Sequence, residues 1–307
     1  MSHAFTVEPS APKRRRRFGD TYVSSKRWNV NDAVVLRYSL AKLGRSVGRK
    51  PGTTFALPTI EPRLSTEKEY YSALRSMLTQ IATETRESII PLYQSERQQK
   101  RAQGALLADA DQSWFSRVQT LAVALARNAS NTVNRILDLE AQRHTSTFIE
   151  TARRALGINL AAVVQQEDLA DYLTTAAARN VSLISGLADD TIKRIQQTVY
   201  QNSIAGNSVT TLRKALQNDF GISDRRAKLI SRDQTAKLNS DLNRIRQEQA
   251  GVTSYTWTTA NDERVRERHR QLDGKVYKWG QATGAEGGLP PGQPVNCRCI
   301  ARGVVEF

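Results

Sequence analysis

The side chains best suited to chemistry lie near the C-terminal end of this sequence. His269, Cys297 and Cys299 stand out because imidazole and thiolate groups are the common protein ligands of zinc. The chain of 307 residues contains two cysteines, and a single residue separates them. That spacing is too short for an unstrained disulfide, so reduced thiols are expected. The sequence therefore predicts a candidate zinc site at these three residues.

The spacing of the two cysteines also argues against a complete metal site. Zinc sites commonly use Cys-x2-4-Cys, whereas Cys-x-Cys within a strand directs its two sulfurs to opposite faces. Unless the backbone turns at Arg298, one thiol alone can reach an ion. The alternative is that Cys297 and Cys299 are small buried residues and that His269 makes an internal hydrogen bond. Both interpretations stay open.

Two further interpretations concern the charged neighbours of these residues. A metal-dependent enzyme, or a triad of Cys297, His269 and Asp273, is conceivable, although nothing in the sequence locates an oxyanion hole. The favoured role of the charges is an ion-pair network that orders a module too small for a large core. The residues assigned to it alternate in sign: Asp262, Arg264, Arg266 and Asp273.

The elements that must position these residues are short strands. Alternating β-branched and aromatic residues predict strands at 252–258 and 276–279, with Asp273-Gly274 as a turn before the second. Residues 280–295 are a loop rich in Gly and Pro, and a final strand is expected over 296–305.

The preceding part of the chain has a helical pattern. Apolar residues recur every three or four positions from residue 65 onward. Pro91 is predicted to kink or end a helix, Gly221 to end one, and Gly157 to form a C-cap. Separate helices are expected over 167–178 and 189–203. The fold class is mainly α: a long helical region followed by a small α+β C-terminal module with short antiparallel strands. We predict three parts: a basic, largely extended arm and linker (1–64), a helical body (65–224), and a helix plus the α+β module (225–307).

The charge of the chain is concentrated at its two ends. Lys and Arg number 45 against 30 Asp and Glu, a net charge of +15, of which residues 1–50 carry +9, residues 51–224 none and residues 225–307 +6. The densest basic run predicts an arm that contacts nucleic acid or an acidic surface, the alternative being a solvated tail. Its residues are Lys13, Arg14, Arg15, Arg16 and Arg17.

Membrane insertion and export are not expected. The longest apolar runs fall far short of the roughly 18 residues that cross a bilayer. The basic N-terminal stretch has no apolar segment after it, as a signal peptide would require. The reduced thiols fit the cytoplasm or the inside of a virion.

The C-terminal residues also resemble a known family. Residues 180–305 are similar to the C-terminal domain of the phage Mu F-like head morphogenesis proteins, also called minor head or minor capsid proteins. The resemblance rests on an ordered set of motifs: Arg232-Asp233-Gln234-Thr235, Tyr255-Thr256-Trp257, Asp262-Glu263-Arg264-Val265-Arg266, His269, Leu272-Asp273-Gly274-Lys275, Pro291-Gly292 and Asn296-Cys297-Arg298-Cys299.

The resemblance implies a structural protein of the virion and supplies no catalytic activity. Such a protein acts in capsid assembly at or near the portal, with the portal protein, other capsid proteins and packaged double-stranded DNA as expected partners. It would lie inside the capsid, and in the host cytoplasm during assembly. The alternative function is a free DNA-binding protein that uses the basic arm.

Overall fold

The structure is a computed structural model, and it describes residues 37–103, 112–164 and 169–307. Helices dominate it, which confirms a mainly α fold. The basic run at 13–17 lies outside the described residues. The helices are α1 (Leu40–Ser46), α2 (Leu64–Glu84), α3 (Ile90–Gln103), α4 (Ser116–Leu156), α5 (Ala170–Ile204), α6 (Val209–Gln249) and α7 (Glu267–Arg270), with a π-helical turn at Thr85–Ile89 and 3-10 turns at Gln112–Phe115 and Glu286–Gly288.

A small antiparallel sheet accompanies the C-terminal elements, as the sequence predicts. Its strands are β1 (Thr54–Ala56), β2 (Ser254–Thr258), β3 (Val276–Lys278) and β4 (Ile300–Glu306), in the order β1-β4-β2-β3. Strand β4 pairs with β2 from Ser254↔Val304 to Thr258↔Ile300, and β3 pairs with the other side of β2.

The expected linker before residue 65 is instead part of this sheet module. Thr54 pairs with Glu306, and helix α1 places Leu40 at 0% exposure. Leu40 packs in one apolar cluster with Val305 and Phe307. The Gly and Pro residues of this segment end a short helix and a short strand, so they do not prevent it from packing.

The predicted helix break at Gly221 is wrong, and in place of the predicted kink or end at Pro91 the structure has a π-helical turn just before that residue. Helix α3 runs through Pro91 directly after the π-helical turn Thr85–Ile89, where the wider turn accommodates a residue that has no N–H to donate. Gly221 lies within α6, where burial of Leu216 and Ala227 outweighs the roughly 1 kcal/mol cost of a helical glycine. The predicted helices at 167–178 and 189–203 are parts of the single helix α5, and the predicted boundary between 224 and 225 falls inside α6. The C-cap at Gly157 is confirmed, with φ 73°.

Helices α2, α4, α5 and α6 pack against one another, and the second half of α6 lies against the sheet module. That half is buried although it is polar. Hydrogen bonds satisfy many of its side chains: Asn239 and Asn243 both donate to the carbonyl of Ile60, for example. Its buried polar residues are Asp233, Gln234, Thr235, Asn239, Ser240, Asp241, Asn243, Arg244, Arg246, Gln247 and Gln249.

Across the three ranges that the structure describes, no helix combines the length and the apolar character needed to cross a membrane.

Candidate functional site

The two thiols and the imidazole meet in the interior of the sheet module. The Sγ atoms of Cys297 and Cys299 each lie 3.6 Å from Nδ1 of His269. All three residues are buried, with at most 5% of their surface exposed. The two cysteines belong to a small apolar cluster with Trp257 and Leu272.

The expectation that Cys-x-Cys divides its sulfurs between two faces is wrong. Strand β4 begins at Ile300, after both cysteines. The preceding residues form a turn in which Cys297 N donates to the Pro294 carbonyl at 3.0 Å and Asn296 adopts φ 58°. The backbone N–H of Cys299 points back at the Cys297 sulfur at 3.4 Å. The segment therefore curls around its own thiols and presents both to His269.

His269 is oriented by contacts on the other side of its ring. Its Nε2 lies 2.7 Å from Oε2 of Glu286, and the Trp257 ring packs edge-on at 5.3 Å between centroids. Although partial burial opposes it, the hydrogen bond from His269 holds the pKa of Glu286 below its ordinary value. An ionised Glu286 accepts a hydrogen bond from the Nε2–H group, which leaves the Nδ1 lone pair directed at the two sulfurs.

Glu286 is a site residue that the sequence analysis missed. Its signal was available, because it is the one acidic residue in the Gly- and Pro-rich segment between Asp273 and Glu306. A lone carboxylate in such a loop gives no indication of its partner until the loop is folded against α7.

The two thiols differ electrostatically. The hydrogen bond from Cys299 and the backbone N–H groups of Cys299 and Gly292 lower the pKa of the Cys297 thiol. The neighbouring Cys297 and burial raise the pKa of the Cys299 thiol. The pair therefore ionises one thiol at a time when no cation is present, because two adjacent buried thiolates repel each other.

Helix α6 holds the cysteine segment in place through the first signature motif. Asp233 Oδ1 accepts a hydrogen bond from the backbone N–H of Asn296 at 2.9 Å, and its Oδ2 accepts one from Lys237 Nζ at 2.6 Å. Gln234 Nε2 donates to the same Oδ2 at 3.1 Å. Arg232 Nη1 lies 3.4 Å from Oδ1 of Asn296. This motif therefore anchors the cysteine segment to α6.

The loop before the cysteines is also anchored on α6. Ser240 Oγ donates to the Pro291 carbonyl at 2.6 Å. Gly292 has φ 83°, and a Cβ there would lie 2.9 Å from the Cβ of Ser240. Close approach of the loop to α6 thus requires glycine at this position.

Part of the predicted ion-pair network is present. Arg298 Nη2 lies 2.7 Å from Asp262 Oδ1, and this hydrogen bond lowers the pKa of Asp262. Arg264 instead pairs with its neighbour Glu263 at 3.7 Å, and both side chains are largely exposed.

Arg266 links the histidine side of the site to the cysteine side. Its Nη2 donates to the Val295 carbonyl at 2.7 Å, and its Nη1 lies 3.6 Å from Glu286.

Asp273 does not form the conceivable triad with His269 and Cys297. It is exposed and accepts a hydrogen bond from the Thr259 N–H at 2.7 Å, and the carboxylate beside His269 is that of Glu286. Gly274, with φ 72°, forms the predicted turn and donates to the Trp257 carbonyl at 2.9 Å.

Comparison with known proteins finds a family match over the residues that form this site. Residues 193–302 match the model of the family described as Phage Mu protein F like protein. An uncharacterized protein of Haemophilus influenzae is 28% identical over 162 residues, which are 52% of this chain and 36% of that protein. The chain thus covers about a third of the length of this curated relative. No solved structure gives a significant match.

The matched residues include all of α6, the sheet strands β2 and β3, and every residue of the His–Cys cluster with its supports. The resemblance drawn from the sequence motifs is thereby confirmed: residues 193–302 are similar to the phage Mu F-like family.

Proposed function

We propose that this chain is a structural minor head protein of a bacteriophage that acts in capsid assembly at or near the portal. The match of residues 193–302 to the Mu F-like family carries this proposal. Other capsid proteins, and the portal protein among them, are its partners, and the assembled virion and the host cytoplasm during assembly are its locations.

The geometry of the signature residues supports a structural role over a catalytic one. Asp233, Arg266 and Arg298 each hold the loop around the cysteines through hydrogen bonds or ion pairs. His269 and both thiols are buried behind these contacts. Side chains that fix a fold in this way explain a shared motif without any reaction.

Fractionation of phage particles tests the proposal. Procapsids, mature heads and heads assembled without portal are purified from infected cells, and the chain is detected by quantitative mass spectrometry. We expect the chain in procapsids and virions, at a reduced amount in heads that lack the portal. Its absence from both procapsids and virions would show that it is not a head protein. Equal amounts in heads with and without portal would show that its incorporation does not depend on the portal.

We also propose that the basic arm contacts packaged DNA, a role favoured by the net charge of +9 over residues 1–50. Neutralising five arm residues removes up to five phosphate contacts, so the slope of log K against log salt should become less steep by up to about 4.5. The arm variant replaces Lys13, Arg14, Arg15, Arg16 and Arg17 with Gln.

A matched control keeps the change in net charge the same. It replaces five exposed basic residues of helices α5 and α6 with Gln: Lys193, Arg194, Arg213, Lys214 and Lys228. Duplex binding is measured by fluorescence anisotropy across a salt series. Equal losses in both variants would mean that net charge, and not the arm, determines the affinity, in which case the arm has no specific role on DNA.

A further inference from the structure

The strongest unassigned feature of the molecule is the buried cluster of one imidazole and two thiols. His269, Cys297 and Cys299 offer one ligand atom each, and these three atoms lie within 4.8 Å of one another. They come from two places in the chain, the short helix α7 and the turn before β4. A contact between them joins α7 to the segment before β4.

The distances match a tetrahedral zinc site. With Zn–S of about 2.3 Å and Zn–N of about 2.0 Å, tetrahedral geometry separates a ligand sulfur from a ligand nitrogen by about 3.5 Å. Both Sγ atoms lie 3.6 Å from Nδ1 of His269. One ion can therefore contact all three atoms with little movement of the protein.

The surroundings of the cluster are those of metal ligands. Glu286 on Nε2 forms the carboxylate–histidine pair that orients an imidazole toward zinc. The backbone N–H of Cys299 points at the Cys297 sulfur. The indole N–H of Trp257 is buried without a hydrogen-bond partner, and it lies near Cys299. An N–H group directed at the Cys297 sulfur stabilises the negative charge of a thiolate ligand.

We propose that His269 Nδ1, Cys297 Sγ and Cys299 Sγ bind one zinc ion, with a water molecule in the fourth position. Nitrogen and thiolate donors together favour zinc over magnesium or calcium. The ion cross-links α7 to the segment before β4, in a module whose apolar cluster at this point contains five buried residues. Its role is to hold the fold together.

Metal analysis of the full-length chain, purified with reductant, tests this proposal. We expect about one zinc per chain by elemental analysis. Replacement with Co(II) should give thiolate-to-cobalt charge-transfer absorption, which reports on this site alone because the sequence has two cysteines. Cys297→Ser, Cys299→Ser and His269→Ala should each abolish stoichiometric binding.

A buried histidine outside the site provides the matched control. His144 is 1% exposed and contacts Asn243 in the helical body, so His144→Gln should keep the metal. Glu286→Gln leaves all three ligands in place, and it should fold, bind zinc and lose affinity by about 10- to 100-fold. This variant keeps the test informative if the ligand variants do not fold.

Several results would overturn the proposal. Wild-type protein without zinc that also takes up no Co(II) would do so, as would a Cys297→Ser/Cys299→Ser variant that keeps one zinc per chain. Unchanged zinc affinity in Glu286→Gln would remove the orienting role of Glu286. None of these results bears on whether the chain is found in phage heads.

Discussion

Asp241, in the second half of α6, gives a quantitative test of how burial changes the pKa of a side chain. The Tyr172 hydroxyl donates to its Oδ2 at 2.9 Å, and Gln293 Nε2 donates to its Oδ1 at 2.6 Å. Burial raises the pKa of Asp241 to about 6, although Arg179 and the Tyr172 hydrogen bond oppose the shift. The folded chain thus takes up this proton at a higher pH than the unfolded chain, whose aspartates titrate near about 3.9.

The expected size follows from the linkage between protonation and folding. A shift of about two pKa units corresponds to about 3 kcal/mol, at about 1.4 kcal/mol per unit. Because the folded pKa is raised, this stabilisation is fully present below about pH 4 and is lost as the pH rises through about 6.

His144 acts in the opposite direction. Burial lowers its pKa to about 4, although the hydrogen bond with Asn243 opposes the shift. The unfolded chain binds this proton near about pH 6.5, so folding loses about 3 kcal/mol as the pH falls from there to about 4. The two contributions nearly cancel in the wild-type protein, which hides both.

Single substitutions should reveal them. As the pH rises from about 4 to about 7, the stability of Asp241→Asn relative to wild type should increase by about 3 kcal/mol. The reason is that the wild type loses this stabilisation over that range, whereas the amide is neutral throughout. His144→Gln should change by a similar amount with the opposite sign over the same range. Urea unfolding followed by far-ultraviolet circular dichroism at each pH measures both. A stability difference for Asp241→Asn that is independent of pH would refute the reasoning, whatever its size.

Three further predictions concern the sheet module. Phe307→Ala should destabilise the chain by about 3–5 kcal/mol in urea unfolding, because Phe307 is 6% exposed and packs against Gly44; the exposed neighbour Glu306→Ala should cost less than about 0.5 kcal/mol. Asp233→Ala should cost about 1–3 kcal/mol and speed proteolysis between residues 289 and 299, since the Asn296 N–H loses its acceptor. The control is Asp171→Ala, a substitution at an exposed position. Equal rates of proteolysis in the two variants would contradict the role of Asp233 in anchoring the cysteine segment. Deletion of residues 1–60 should lower the melting temperature because it removes α1 and β1, whereas deletion of 1–36 removes no described element; equal melting of the two would show that β1 adds nothing.

The fold class could be predicted from the sequence because the helices are long and amphipathic. Their boundaries could not. Pro91 and Gly221 are poor helix residues, and local propensity predicts breaks at both. At Gly221, packing of α6 against its neighbours outweighs about 1 kcal/mol of propensity. At Pro91, the preceding π-helical turn accommodates the missing N–H. Strand β1 was missed because three residues carry little periodicity and its partner lies at the other end of the chain.

The candidate site was predicted in its residues but not in its geometry. His269, Cys297 and Cys299 were recognised by type, while the spacing argument assumed extended backbone at the cysteines. The left-handed conformation of Asn296 and the acceptor supplied by Asp233 bend the segment, and neither is visible in a pattern of side-chain types. Glu286 was missed because its partner His269 lies 17 positions away, and the contact depends on how the intervening loop folds.

The position of β4 in the sheet has a consequence for synthesis on the ribosome. It lies between β1 and β2, and it is the last of the four strands to be translated. Arg302 Nε donates to the Leu57 carbonyl across 245 positions of sequence. Until residues 300–306 emerge, β1 has no partner and one edge of β2 stays unpaired, so this module completes its fold only after β4 has been translated. A nascent chain that stalls before β4 would present two open strand edges, which makes it a substrate for chaperones or for aggregation.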